Sequence, residues 1–359
     1  MRRGGSISLI KSAAWLAVLP AVIIAASCGA PVQKPSENAS FSFIINSDTV
    51  GAQFGPAQYQ MGLAYVKEKQ YQEALKAFSA AIKNGYAGCD VYLSRAGAYS
   101  ALGLYSGAIG DASICLDAQP RLATAYSTRG YAYLKSGEYA KAVSDYSQAL
   151  NIDASNTEAY FNRALAFREL AQFDMAVSDL QRAINLDPGY LEAIIWLGRT
   201  YYSTADYTSA IEQFTYAINM DPVAGAVAYN DRAVCLGTEG DLGGALRDLN
   251  ILIGLNPSYY KAFYNRGVVY MKMVQPAPAI EELDTYLCLD VNDKYGCRNL
   301  AMGWRGYYPT FFICCYDPSI SQRAMAKCNS ILAVARSAGE LPYSDGALYF
   351  QSEGPSTNY

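Results

Sequence analysis

Residues 123–156 read ATAYSTRGYAYLKSGEYAKAVSDYSQALNIDASN, and residues 157–190 read TEAYFNRALAFRELAQFDMAVSDLQRAINLDPGY. Laid one over the other, the two stretches agree in kind at place after place. Tyr126 and Tyr160 stand at the fourth place, small Gly130 and Ala164 at the eighth, aromatic Tyr133 and Phe167 at the eleventh, and Ala142 and Ala176 at the twentieth. Self-similarity at a fixed period means that one supersecondary unit stacks on copies of itself, so it is read before any local feature. Outward from this pair, the alanine of the twentieth place recurs as Ala74, Ala108, Ala142, Ala176, Ala210, Ala245 and Ala279, at steps of 34 residues with a single step of 35. Counted from Gly55, Cys89, Ala123, Thr157, Leu191, Ala226 and Tyr260, seven units fill residues 55–293, with one extra residue near Gly225.

Within each unit the spacing predicts two helices. Small and aromatic residues three or four apart share one face of the first. Leu75, Ile109, Val143, Val177, Ile211, Leu246 and Ile280 follow the repeat alanine on the second. Gly103, Gly137 and Gly240 stand where the first helix should end in a left-handed cap. Arg95, Arg129, Arg163, Arg232 and Arg266 precede the small residue, and acids recur once per unit at Asp111, Asp145, Asp179 and Asp248. This pattern predicts pairing between adjacent helices. Thirty-one tyrosines stand out in the composition, and the repeat absorbs many of them as packing residues.

The period, together with the aromatic–small–aromatic–alanine pattern and the closing prolines Pro120, Pro188, Pro222 and Pro257, resembles the tetratricopeptide repeat (TPR) family over residues 55–293. The resemblance implies an all-α TPR solenoid, a right-handed superhelix of helix-turn-helix repeats with a C-terminal capping region. Its first helices would line a concave groove that takes a protein or peptide partner. By the family's pattern the groove places here hold Tyr59, Tyr131, Lys135, Phe161, Asn162, Arg168, Trp196, Arg199, Tyr202, Tyr264, Asn265 and Met271. Trp196, Arg199 and Tyr202 form the most distinctive cluster, because no other unit carries tryptophan there. Aromatics with a few Arg and Asn are the usual composition of a protein-binding hot spot. The alternative for each of them is packing between neighbouring units.

At the amino end, Met1-Arg2-Arg3 and Lys11 precede an uncharged apolar run from Ser12 to Ala26 that Pro20 interrupts. A basic start before a short apolar stretch reads as a secretory signal over 1–27 and is too short for a membrane span. Ile24-Ala25-Ala26-Ser27-Cys28 resembles the lipobox of bacterial lipoproteins, departing from it at Ala25, where leucine is usual. The resemblance implies lipid on Cys28 and a body held to a membrane of the cell envelope, in the periplasm or at the cell surface. An ordinary secretory peptide is the alternative. Ser, Pro, Asn and Gln over 28–54 read as a flexible tether. Residues 294–338 continue as a partial repeat and capping helices, and 339–359 read as a disordered tail.

The chemistry that remains is narrow. The chain has no histidine, which removes the usual general base and the commonest zinc ligand. A net charge of −4 argues against nucleic acid. Cys115, Cys235 and Cys288 fall at small apolar places and should pack as hydrophobes, and Cys89 should be a free thiol at a repeat junction. A disulfide among Cys297, Cys314, Cys315 and Cys328 stays open. No metal site, cofactor or catalytic constellation is expected. The reading is a lipid-anchored envelope scaffold that binds a protein partner in assembly, secretion or wall-enzyme recruitment. The alternatives are an enzyme with its site in the tail, and a secreted repeat protein without lipid.

Overall fold

The structure, a computed structural model, describes residues 47–289. The expectations for the leader, the tether up to residue 46, Cys28, the capping and tail segments with their cysteines, and the side chain of Cys288 lie outside the described residues. Fourteen α-helices and no strand occur among the described residues. The first helices of the seven units are α1 Ser47–Lys67, α3 Cys89–Ala101, α5 Ala123–Lys135, α7 Thr157–Glu169, α9 Leu191–Ser203, α11 Ala226–Glu239 and α13 Tyr260–Lys272. The second helices are α2 Tyr71–Lys83, α4 Tyr105–Ala118, α6 Tyr139–Ile152, α8 Phe173–Leu186, α10 Tyr207–Met220, α12 Leu242–Leu255 and α14 Pro276–Leu289. One boundary differs from the reading above. Helix α1 begins at Ser47, inside the stretch expected to be a tether.

Each helix packs against its neighbours in sequence, and first helices also touch the next first helix at α3–α5, α5–α7, α9–α11 and α11–α13. The seven repeat alanines have no accessible surface. The eighth place sets how closely the two helices of a unit approach. Gly62 lies against Phe78, Gly130 against the ring of Tyr146, Gly198 against Phe214 and Gly267 against Leu283. In each case the partner stands sixteen residues on. Where the eighth place is alanine (Ala96, Ala164, Ala233), the residue sixteen on is Ala112, Leu180 or Leu249, all buried. Three of the four glycines therefore face an aromatic ring and none of the alanines does. Volume is traded across the helix pair, as close packing requires.

The turn inside every unit is the same. The fifteenth place adopts a left-handed backbone at Lys69, Gly103, Gly137, Ala171, Ala205, Gly240 and Val274, with φ between 56° and 96°. The following amide bonds the carbonyl of the eleventh place, as in Leu104 N–H to Tyr99 O (2.9 Å) and Glu138 N–H to Tyr133 O (2.8 Å). This is the Schellman closure, which satisfies a helix-end carbonyl. The three glycines meet their expectation. Four non-glycine residues take the same conformation because the array imposes it, at a local cost on the order of 1–2 kcal/mol each. The extra residue of unit five is absorbed in the turn Asp221–Gly225, where the Asp221 carboxylate accepts from Val223 N–H and Ala224 N–H, each at 2.9 Å.

The repeated arginines join units as expected. Arg129 donates from Nε and Nη2 to the two oxygens of Asp145 (2.7 and 2.9 Å) and from Nη1 to Ser113 Oγ (3.2 Å). One side chain thus ties the second helix of its own unit to that of the unit before. Arg95 repeats this with Asp111 and Ser79, Arg163 with Asp179 and Ser147, and Arg232 with Asp248 and Thr215. Arg266 reaches Glu282 and Asn250. Two-pronged charged contacts are the strong ones, and the hydrogen bond to the carboxylate raises the pKa of Arg95, Arg129 and Arg232. Units one and five lack the ladder at both partners at once, with Met61 and Ala77 in the first and Leu197 and Gln213 in the fifth.

Candidate functional site: the face of the first helices

First helices touch at four junctions, and Arg168 of α7 reaches Trp196 and Ser203 of α9; the residues expected to face a groove can be placed on this face. Tyr131 and Asn162 line a cavity of about 530 Å³ bounded by α3, α5 and α7. Arg168, Trp196 and Arg199 form a stack: the guanidinium of Arg168 lies 4.6 Å from the Trp196 ring centre and that of Arg199 lies 4.9 Å from it. Tyr202, one turn past Trp196 and Arg199 on α9, is half-buried and tilts against Tyr207 at 5.5 Å. Burial, first of all, pushes its phenol up to about 12.

The two arginines of the stack differ in their surroundings. Arg199 is 3% exposed and donates from Nε to Asp231 Oδ2 at 2.6 Å, and Asp231 is wholly buried. Asn230 donates to Asp231 Oδ1 (3.1 Å), and Asn265 donates to Asn230 Oδ1 (2.8 Å). This buried polar chain links α9, α11 and α13. Arg168, by contrast, makes no ion pair among the described residues; its Nη2 donates to Ser203 Oγ at 3.4 Å, and its Nε is buried without a hydrogen-bond partner among them. Burial and then the neighbouring Arg199 lower its pKa to about 10, with Glu169 and Asp231 acting more weakly in the opposite direction, so it remains charged at neutral pH.

Other expected groove residues belong to the wall itself. Phe161 is 5% exposed and packs on Tyr190 at 5.0 Å. Tyr264 and Asn265 have no accessible surface, and Tyr264 meets the edge of Tyr286 at 5.3 Å. Tyr59 stacks on Tyr86 at 5.2 Å, and its hydroxyl lies 3.4 Å from Ser94 Oγ of the next unit. The expectation that Phe161, Arg199, Tyr264 and Asn265 face a partner is therefore corrected. Contact with the neighbouring unit covers Phe161, Arg199 and Asn265, and the second helix of its own unit covers Tyr264.

Comparison with known proteins follows the same frame. Models described as TPR repeat or tetratricopeptide repeat match residues 59–123, 130–170, 157–190 and 191–223. The chain's described helices have the all-α fold of a tetratricopeptide-repeat solenoid. Among solved structures it is similar to a tetratricopeptide repeat protein from Parabacteroides merdae, at 17% identity over 70% of this chain and 98% of that one, with a TM-score of 0.57. It is also similar to the C-terminal part of a TPR repeat-containing protein from Cytophaga hutchinsonii, at 20% identity over 66% and 96%, with a TM-score of 0.52. At these identities the likeness is one of fold. No curated protein matches the sequence.

The solenoid's Arg199–Asp231 pair carried a signal in the sequence. Arg199 is the single charged residue among the seven ninth places, and Asp231 the single one among the seven sixth places. Two such exceptions in consecutive units point to each other. The isolation of Arg168 carried no such signal, since it depends on which acids fold near it. Among the described residues no group of three His, Cys, Asp or Glu side chains is placed to hold a metal. Cys115 and Cys235 are fully buried as small apolar residues, and Cys89 is a half-buried free thiol. Burial is the first cause that raises the Cys115 thiol to about 12.

Proposed function

We propose that this protein is a lipid-anchored scaffold of the bacterial cell envelope, without catalysis of its own, that holds a segment of another protein against the face made by its first helices. The observation that carries the reading is Arg168: a half-buried guanidinium, stacked on Trp196, with no ion pair among the described residues. A charge partly withdrawn from water is costly to keep without a hydrogen-bonded partner of opposite sign. An acidic group of a bound segment would offset that cost, while Trp196 supplies the flat apolar contact typical of an anchoring residue.

The test replaces Trp196 and Arg168 together with alanine and compares capture of partners from envelope extract. Truncating such anchors costs roughly 2 kcal/mol or more, about thirtyfold in affinity. Capture should fall by that factor, with helicity and melting nearly unchanged. Undiminished capture of every partner would remove the site from this face. Arg199 is left intact, because its loss would strand Asp231.

The anchor is tested separately. The basic and apolar leader ending at Cys28 supports lipidation, and a chain with Cys28→Ala should leave the membrane fraction, since the tether alone gives no attachment. Mass spectrometry that finds an unmodified Cys28 in the mature wild-type protein would contradict it.

A further inference from the structure

The cavity of about 530 Å³ on the first-helix face has walls from three units: Ser100 from α3, Ser127 and Tyr131 from α5, Glu158 and Asn162 from α7, and Tyr146 reaching it from the second helix α6. Three features meet there. Ser100 Oγ, Ser127 Oγ and Tyr146 OH are buried and have no hydrogen-bond partner among the described residues. A buried hydroxyl left unpaired costs on the order of 1–3 kcal/mol. All three belong to the lining of this one cavity, and Tyr146 is only 1% exposed.

Second, the single charged residue of the lining is Glu158, and it forms neither an ion pair nor a side-chain hydrogen bond among the described residues. Its place in the first turn of α7 suits the helix dipole, and the residue is exposed, so its carboxylate is open to an incoming cation. Third, the rings of Tyr131 and Tyr146 supply aromatic faces. Burial first raises both phenols above their ordinary pKa, followed by Tyr105 and Glu158 at Tyr131 and by Glu158 at Tyr146, so they stay neutral at physiological pH. The site therefore offers one negative charge, aromatic faces and several unused acceptors, with no cation of its own in the lining.

We propose that this cavity is a subsite for an arginine side chain of the bound segment, its guanidinium paired with Glu158 and donating to the hydroxyls of Ser100, Ser127 and Tyr146 and to the Asn162 carbonyl. A guanidinium carries five N–H donors in a fixed fork, against three on an ammonium, and stacks on aromatic faces. That inventory fits the number of acceptors waiting here. The inference rests on the reading that the face takes a protein segment. It adds the chemistry recognised at one end, some 15 Å along α7 from Arg168 at 1.5 Å of rise per residue.

The test uses two small probes on the full chain, N-acetyl-arginine amide and its neutral counterpart N-acetyl-citrulline amide, titrated by NMR. The arginine probe should bind at least tenfold more tightly in the wild type, and Glu158→Gln should erase that preference. Tyr146→Phe should weaken the arginine probe several-fold while melting at the same or a higher temperature, because it removes an unpaired hydroxyl and keeps the ring against Gly130. A residue with a purely structural role would lower the melting point and leave the probe unaffected. Equal binding of the two probes, an arginine preference that survives Glu158→Gln, or undiminished binding in Tyr146→Phe would each overturn the subsite. Those results leave partner capture untouched, so failure here and failure of the Trp196 and Arg168 test are read apart.

Discussion

Asp231→Ala is expected to destabilise the solenoid by about 3–5 kcal/mol, which is the cost of leaving one member of a buried ion pair without its partner. The Arg199 and Asp231 side chains are 4% and 0% exposed, so water cannot replace the lost carboxylate. Asp231 also receives Asn230 from within the same buried chain, and its removal disturbs the junction of units five, six and seven together. Urea unfolding should show the loss. Replacing both members by apolar residues of similar size, Arg199→Met with Asp231→Leu, should recover most of it, because a dry pair of charges returns little over good packing. A single substitution at Asp231 that costs less than about 1 kcal/mol would mean that the pair is not buried as described.

The second large effect concerns packing across a unit. Phe214 is fully buried against Gly198, and a Cβ built on Gly198 would stand 2.7 Å from Phe214 Cε1. Phe214→Ala should therefore cost about 3–5 kcal/mol by opening a cavity. Gly198→Leu alone should also destabilise, by about 1–3 kcal/mol, through overpacking. Combined, the two changes should cost clearly less than their sum, since the leucine enters the space the ring has left. Additive costs in thermal or urea unfolding would show that the two places do not share one volume.

How far the sequence could be read follows from what each residue answers to. The repeat alanines, the eighth-place size rule and the Arg–Asp ladder answer to the period itself. For that reason the sequence puts Ala74 through Ala279 in the core and predicts that Arg95, Arg129, Arg163, Arg232 and Arg266 pair with acids of adjacent helices. The left-handed turn was legible at Gly103, Gly137 and Gly240, where glycine advertises it. At Lys69, Ala171, Ala205 and Val274 the side chain carries no such mark and the conformation comes from the neighbouring helices. Groove residues were the least legible. Trp196 and Arg168 stand together on the outward face, but Phe161, Arg199 and Asn265 are covered by packing between units and Tyr264 by the second helix of its own unit. A place number fixes a direction on one helix and says nothing of how closely the next helix comes. The unmatched hydroxyls of Ser100, Ser127 and Tyr146 were invisible for the same reason.

The central claim is that the partner lies against the first helices and not on the opposite side. Site-specific photocross-linking in intact cells tests it most directly, with a photoreactive residue in place of exposed Lys135 on α5 or of Tyr216 on α10, which is 46% exposed. The account predicts a discrete protein adduct from position 135 that weakens in the Trp196→Ala, Arg168→Ala background, and none from position 216. An adduct formed from position 216 alone would contradict it.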